Sequence, residues 1–255
     1  MEYDAIRKAF IRLVFHAENS AESLVLLEDV ISLRASFLID KALRGLRIDL
    51  DRALDILRNY NDFTTERERQ QRDILVAAVD NLIDFAVAEE YAMMQELPDE
   101  IDSAGTEACE AICEKYNLIY ATEENSTVLF AASMAMWWLA VDSETIITFM
   151  TQGDERVRPW HEALEGIAYR KREFPQELIP PIEWGCRCFL SADGFGSVYG
   201  AISEKKHSLD VNPVFTESLA VGGRIFSAAH PYFQNKIPRN VREIGERIKQ
   251  KFGLS

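Results

Sequence analysis

Residues 152–190 read QGDERVRPWHEALEGIAYRKREFPQELIPPIEWGCRCFL, and the order of elements in this stretch decides how the whole chain is read. A β-branched and aromatic run, Thr145–Thr151, leads into it as a strand, and Gly153 breaks that strand. An acidic-basic turn follows, with Asp154, Arg156, Arg158 and Pro159. Next comes a short helix bearing His161, Leu164 and Gly166. A Pro-rich loop with Pro180 and Pro181 then closes on Trp184-Gly185 and the triplet Cys186-Arg187-Cys188.

Three chemistries are open to this constellation. His161, Cys186 and Cys188 supply an imidazole and two thiolates of the softness zinc prefers, and Asp154, His207 or His230 is available as a fourth ligand. The one-residue spacing of the cysteines departs from the C-x2–4-C knuckle usual for structural zinc. Alternatively, His161 and Arg187 could activate Cys186 or Cys188 as a nucleophile, although no third orienting group is apparent. In the third reading the stretch is a structural marker. Arg156, Arg158 and Arg187 meet Asp154, Glu162 and Glu165 in a polar network, the two cysteines divide between an inward and an outward position, and His161 is a hydrogen-bonded lid. The network is placed first and the metal second. No cofactor is expected, with zinc the one candidate.

Outward from this stretch, the N-terminal half reads as successive helices. Ile6, Phe10, Leu13 and Val14 share a helical face in Tyr3–Ala17, as do Leu24, Leu27, Ile31 and Leu38 in Ala21–Leu43. A shorter helix is expected over Asp49–Tyr60. Thr65 and Glu68 have the spacing of a capping box for a helix running to about Leu97, ahead of Pro98. Ser103–Tyr116 continues the pattern, with Cys109 and Cys113 one turn apart as small buried hydrophobes. Thr122–Val141 is apolar enough to be buried on several sides. Its most apolar window, Val128–Val141, is shorter than the roughly 20 residues that a bilayer span needs. Beyond Gly153 the chain is rich in turns, including Gly194, Gly196 and Gly222-Gly223, until a helix resumes over Arg239–Phe252. His230 is expected to be a satisfied polar residue in a loop folding over the core, and His16 a surface or helix-capping residue. The whole is expected to be α+β: a helical part over 1–120, a small mixed domain with a short antiparallel sheet over 121–235, and a basic helix over 236–255.

The 255 residues carry a net charge of −14, which argues against a surface that coats nucleic acid. The last twenty residues run the other way, with six Lys or Arg against two Glu. Arg242, Arg247, Lys249 and Lys251 are expected to face outward from this helix, as a docking face for an acidic partner or packaged DNA. Four cysteines without a basic, apolar leader suit a reducing compartment.

The ordered elements from Asp154 to Cys188 resemble the phage Mu protein F-like family of minor head proteins. The hallmark of that family runs from a D-E-R-V-R-P-like turn through H-x-x-L-x-G to a Pro-rich loop and C-R-C. Asp154, Arg156, Arg158 and Pro159 match the turn; His161, Leu164 and Gly166 match the helix; Pro180, Pro181, Trp184, Gly185, Cys186, Arg187 and Cys188 match the close. Two positions depart from the pattern: Trp160 stands where an acidic residue is expected, and Ile182-Glu183 stands where Pro-Asn is common. The resemblance implies a minor capsid protein of a tailed phage, acting in head assembly beside the portal. Portal, capsid or scaffold proteins would be its partners, without a membrane, and its location would be the host cytoplasm and then the capsid interior. Related domains also occur on effectors, so a metal-dependent hydrolase or nuclease-like effector is the alternative. Against an enzyme stand the lack of an H-E-x-x-H motif and of a Gly-rich phosphate loop.

Overall fold

A computed structural model describes residues 2–58, 65–98, 103–192 and 211–254. Its first half is helical: α1 (Glu2–His16), α2 (Ser20–Leu46), α3 (Leu50–Arg58), α4 (Glu66–Gln95), α5 (Ser103–Glu114) and α6 (Ala121–Ala140). Asn19 caps α2 by accepting from the amides of Ala21 and Glu22, satisfying donors that no helical carbonyl can reach. The capping box of α4 forms with both arms in place, Thr65 accepting from the Glu68 amide and Glu68 from the Thr65 amide. The expected third helix ends at Arg58, and its last two positions, 59 and 60, lie outside the described residues.

Between α5 and α6 the chain does not break. Lys115–Tyr120 forms a π-helical stretch that joins the two helices end to end. This wider coil turns Asn117 and Tyr116 inward, both buried.

Helix α2 is the centre of the bundle, packed against α1, α4 and α6. It comes close to α6 at Gly45, where a Cβ would lie 2.6 Å from the Cβ of Ala132 and from the carbonyl oxygen of Leu129. Val128, Ala132 and Ala135 of α6 are fully buried, and Trp138 nearly so. Cys109 and Cys113 are likewise fully buried free thiols.

The sheet is small and antiparallel, in the order β2-β1-β3, with β1 (Ile146–Met150) between β2 (Ala168–Arg170) and β3 (Phe189–Ser191). Thr148 lies opposite Ala168 on one side and Ser191 on the other. A one-turn helix, α7 (Pro159–Glu162), fills the β1–β2 connection. Because both neighbours run antiparallel to β1, the segments that lead into β2 and β3 arrive at the same end of the sheet. That end is where β1 finishes, and this topology brings the His-bearing helix and the Cys turn together.

After the sheet, residues 211–238 run as short 3-10 turns over α4 and α6. Buried Asn81 of α4 pins them: its Oδ1 accepts from the amides of Ile225 and Phe226, and its Nδ2 donates to the Phe226 carbonyl. The final helix, α8 (Arg239–Lys251), lays Val241, Ile244 and Ile248 against α4 and α2. One continuous hydrophobic core runs from Ile6 to Ile248.

Candidate functional site

Met150, the last residue of β1, pairs with Phe189, the first of β3, so Cys188 lies beside Thr151. Gly166, with φ of +81°, donates its amide to the Phe149 carbonyl and turns the chain from α7 into β2. A left-handed conformation at this position suits glycine and strains any larger residue. Leu164 is buried beneath the turn. Gly185, also left-handed at +64°, reverses the chain ahead of Cys186, and the Pro180-Pro181 peptide before it is cis.

The cysteines do not divide between inside and outside. Cys186 is 7% exposed and Cys188 3%. The expectation of opposite faces fails for two reasons: residues two apart in an extended chain share a face, and both cysteines lie ahead of β3 in the irregular segment that follows the Trp184-Gly185 turn. Arg187 between them points outward. Its guanidinium grips Asp154 with two parallel bonds, Nη1 to Oδ2 at 2.8 Å and Nη2 to Oδ1 at 2.6 Å, and Arg187 holds the Asp154 carboxyl below its ordinary range.

The two buried sulfurs meet His161, which is 2% exposed. A ring nitrogen of His161, the Sγ of Cys186 and the Sγ of Cys188 lie within 4.8 Å of one another. Nδ1 is 3.2 Å from the Cys188 sulfur, and Nε2 is 3.2 Å from Oε2 of Glu183. The hydrogen bond that Cys188 gives to Cys186 pushes the Cys186 thiol down, against the effect of burial. The same bond, with burial, pushes Cys188 up.

Glu183 is the hub that the sequence did not single out. Its Oε2 faces His161 Nε2, accepts from Trp160 Nε1 at 3.2 Å, and lies 3.2 Å from Arg158 Nε. The two departures from the family pattern, Trp160 and Glu183, are therefore partners. An acidic residue is missing at one position, and a carboxylate is supplied from the facing one. Arg158 also donates to the Trp184 carbonyl at 2.7 Å, and Trp184 stacks on Phe226, which stacks in turn on Phe85 of α4. The Cys turn is thus tied to the helical bundle.

The expected polar network forms in part. Asp154–Arg187 is present, but Arg158 pairs with Glu183, Glu165 accepts from Thr151 Oγ1, and Arg156 contacts Asp154 only through its backbone amide at 3.1 Å. Glu162 and the Arg156 side chain make no ion pair among the described residues. His230 is not a fourth ligand: its Nδ1 accepts from the Tyr232 amide, its ring sits among Phe85, Trp184 and Phe226, and burial pulls it down to about 4. Asp154 is committed to Arg187. His207 lies outside the described residues, as do Gly194 and Gly196.

Arg242, Arg247 and Lys251 are exposed on α8 as expected, and the outward placement is corrected at Lys249. Lys249 is buried and bridges Asp80 and Asp84 at 2.7 and 2.8 Å. Arg247 holds Glu28 at 2.5 Å, with Lys251 3.6 Å from the same carboxylate. Only Arg242, of the four, is exposed and without an ion pair among the described residues.

A second polar cluster, which periodicity could not reveal, lies inside the bundle. Arg34, 1% exposed, donates to Glu89 at 2.6 Å, to Glu124, and to Asn125 at 2.9 Å. Glu90, fully buried, accepts from Asn117 of the π-helical stretch at 3.3 Å. One guanidinium thus faces three carboxylates. Burial, with the charge of Glu89, pushes Glu90 up to about 8. Among the described residues the metal-type ligands converge in threes only at His161, Cys186 and Cys188.

Residues 90–191 match the family model described as Phage Mu protein F like protein. The match starts in α4 and ends with β3, so it takes in the buried Glu90, α5, α6, the sheet and the whole His-Cys site. This stretch is similar to Mu protein F-like domains. A 45-residue segment is 44% identical to an uncharacterized protein of Methanocaldococcus jannaschii; it makes up 18% of this chain and 7% of that protein's length. No solved structure matches the chain.

Proposed function

We propose that this protein is a minor capsid protein of a tailed phage, acting in head assembly beside the portal and inside the shell. It would work first in the host cytoplasm and then in the virion. The observation that carries this reading is the Mu protein F-like match over residues 90–191, a domain type associated with phage head morphogenesis. The motif residues of that stretch converge on one rigid turn anchored to the bundle, as a structural module requires.

Portal, capsid or scaffold proteins are the partners in this reading. Leu118, Ile119, Tyr120 and Leu129 are exposed on the π-helical stretch and α6, with Ile119 61% exposed, and surface of this kind favours protein contacts. No helix among the described residues is long and apolar enough to cross a membrane. A hydrolase or nuclease would need a general base beside a metal-bound water. The carboxylate nearest the candidate centre, Glu183, is instead engaged by His161, Trp160 and Arg158.

The test is mass spectrometry of purified heads together with disruption of the gene. The protein is expected in wild-type heads in few copies, and its loss should yield defective heads. Its absence from wild-type heads, with normal assembly in the disrupted phage, would overturn the proposal.

A further inference from the structure

Three soft donor atoms converge in the interior, and a carboxylate stands behind one of them. A tetrahedral zinc, with bonds of about 2.3 Å to sulfur and about 2.0 Å to nitrogen, holds its ligand atoms roughly 3.5–3.8 Å apart. A His161 ring nitrogen, Cys186 Sγ and Cys188 Sγ lie within 4.8 Å of one another, and His161 Nδ1 is 3.2 Å from Cys188 Sγ. Side-chain torsions alone can close that difference.

The orientation of His161 is the second observation. A carboxylate accepts hydrogen bonds, so Glu183 facing Nε2 assigns the ring proton to Nε2 and leaves the Nδ1 lone pair directed at the sulfurs. This is the arrangement in which a carboxylate orients a metal-bound histidine through its far nitrogen. Glu183 is held in turn by Trp160 and Arg158. Cys186 and Cys188 also face in together because Gly185 reverses the chain ahead of them and Asp154 draws Arg187 outward. A packed core of this kind would otherwise favour apolar side chains at all three positions.

We infer that His161, Cys186 and Cys188 form a zinc site, with Nδ1 and the two thiolates as ligands and Glu183 as the positioning residue behind the histidine. A narrow cleft lined by Gln152, Arg158, Gly185 and Arg187 reaches His161 and Cys188. The site joins the connection before β2 to the connection before β3, two segments otherwise held by the sheet ladder and by surface pairs. Its role in this chain is to lock those segments. The inference concerns the purified chain and stands apart from the capsid reading.

The experiment uses the full chain purified under a phosphine reductant, with bound metal measured by mass spectrometry and the apo form titrated with zinc and with cobalt. One zinc per chain is expected. A chelator should lower the melting temperature, and zinc should restore it. Cobalt should give thiolate-to-metal charge-transfer absorption and tetrahedral d–d bands. Cys186→Ser and Cys188→Ser should lose those bands, Glu183→Gln should weaken affinity about 10- to 100-fold, and a Cys109→Ala/Cys113→Ala double variant should keep them. If the serine variants fail to fold, the wild-type cobalt spectrum decides. Wild-type protein that takes up no metal and melts identically with and without chelator overturns the site. So does a cobalt complex without thiolate bands, or one that persists in the serine variants.

Discussion

Arg34 and Arg187 each hold carboxylates through short charge-assisted bonds, yet their environments make them energetically unlike. Arg34 is buried between Glu89 and Glu124, where losing the cation strands negative charge away from water. Arg34→Met should cost about 3–5 kcal/mol, the usual penalty for breaking a buried pair from one side. Adding Glu89→Gln and Glu124→Gln should recover part of it, as urea denaturation will report. Arg187 and Asp154 are 36% and 42% exposed, so water and salt screen their bidentate pair. Arg187→Gln should leave the urea midpoint nearly unchanged, and a large shift would mean that the pair does more than aim its neighbours. The same contrast shows what was legible in the sequence at this scale. The composition of residues 154–188 identified His161, Cys186, Cys188 and a network of arginines and carboxylates that includes Asp154 and Arg187, because their residue types carry chemistry in any context. Glu183 went unrecognised because a glutamate beside a Trp-Gly turn is ordinary until the fold sets His161 and Trp160 against it. The Arg34 cluster was hidden for a related reason: polar residues on a helical stripe read as its solvated face, and only a second and third helix show otherwise.

Helix α2 illustrates how an element-level rule can be overruled by its neighbour. Replacing glycine with alanine inside a helix ordinarily gains about 1 kcal/mol from propensity. At Gly45, however, the added methyl would meet Ala132 Cβ and Leu129 O of α6 at 2.6 Å, and the Ser133 amide nitrogen at 2.8 Å. Two of these atoms are backbone and cannot rotate away. Gly45→Ala should therefore destabilise the protein, with a lower urea midpoint and an unchanged helical signal in circular dichroism. A stabilised variant would show that α2 and α6 can separate without loss. The helices themselves were readable from 3.6-residue periodicity, and the start of α4 from Thr65 and Glu68, because those signals are local. The π-helical stretch was not, since KYNLIY carries no breaker and its wider turn is explained by where Asn117 and Tyr116 are buried. The start of β3 was not legible either: its pairing with β1 begins only at Phe189, and ladder limits depend on a partner that is distant in the chain.

Across the whole molecule, the acidic surplus and the basic C-terminal helix meet in ion pairs within the chain. Lys249 reaches Asp80 and Asp84, and Arg247 and Lys251 reach Glu28, so α8 is anchored by the charges that looked free for a partner. Lys249→Gln should lower the melting temperature by a few degrees, whereas Arg242→Gln should leave it unchanged. If the helix docks in heads, incorporation should fall in the Arg242 variant at constant stability; unchanged incorporation would remove Arg242 from any interface. The buried carboxylates give the molecule a pH dependence of definite sign. Glu90 titrates near 4.5 when unfolded and is pushed up to about 8 in the fold by burial and by Glu89. Between those values the native state binds more protons than the unfolded chain, so stability is fully present below about 4.5 and declines as pH rises toward 8. The slope can reach roughly 1.4 kcal/mol per pH unit for one group. Glu28 and Asp154, lowered by Arg247 and Arg187 respectively, act in the opposite sense and lose their contribution as pH falls through the acid range. Glu90→Gln keeps the side chain's shape and its contact with Asn117 while removing the titration. Melting curves from pH 5 to 8 should decline in the wild type and flatten in this variant, with the largest gain in stability at pH 8. Parallel profiles for the two proteins would show that Glu90 does not govern the response.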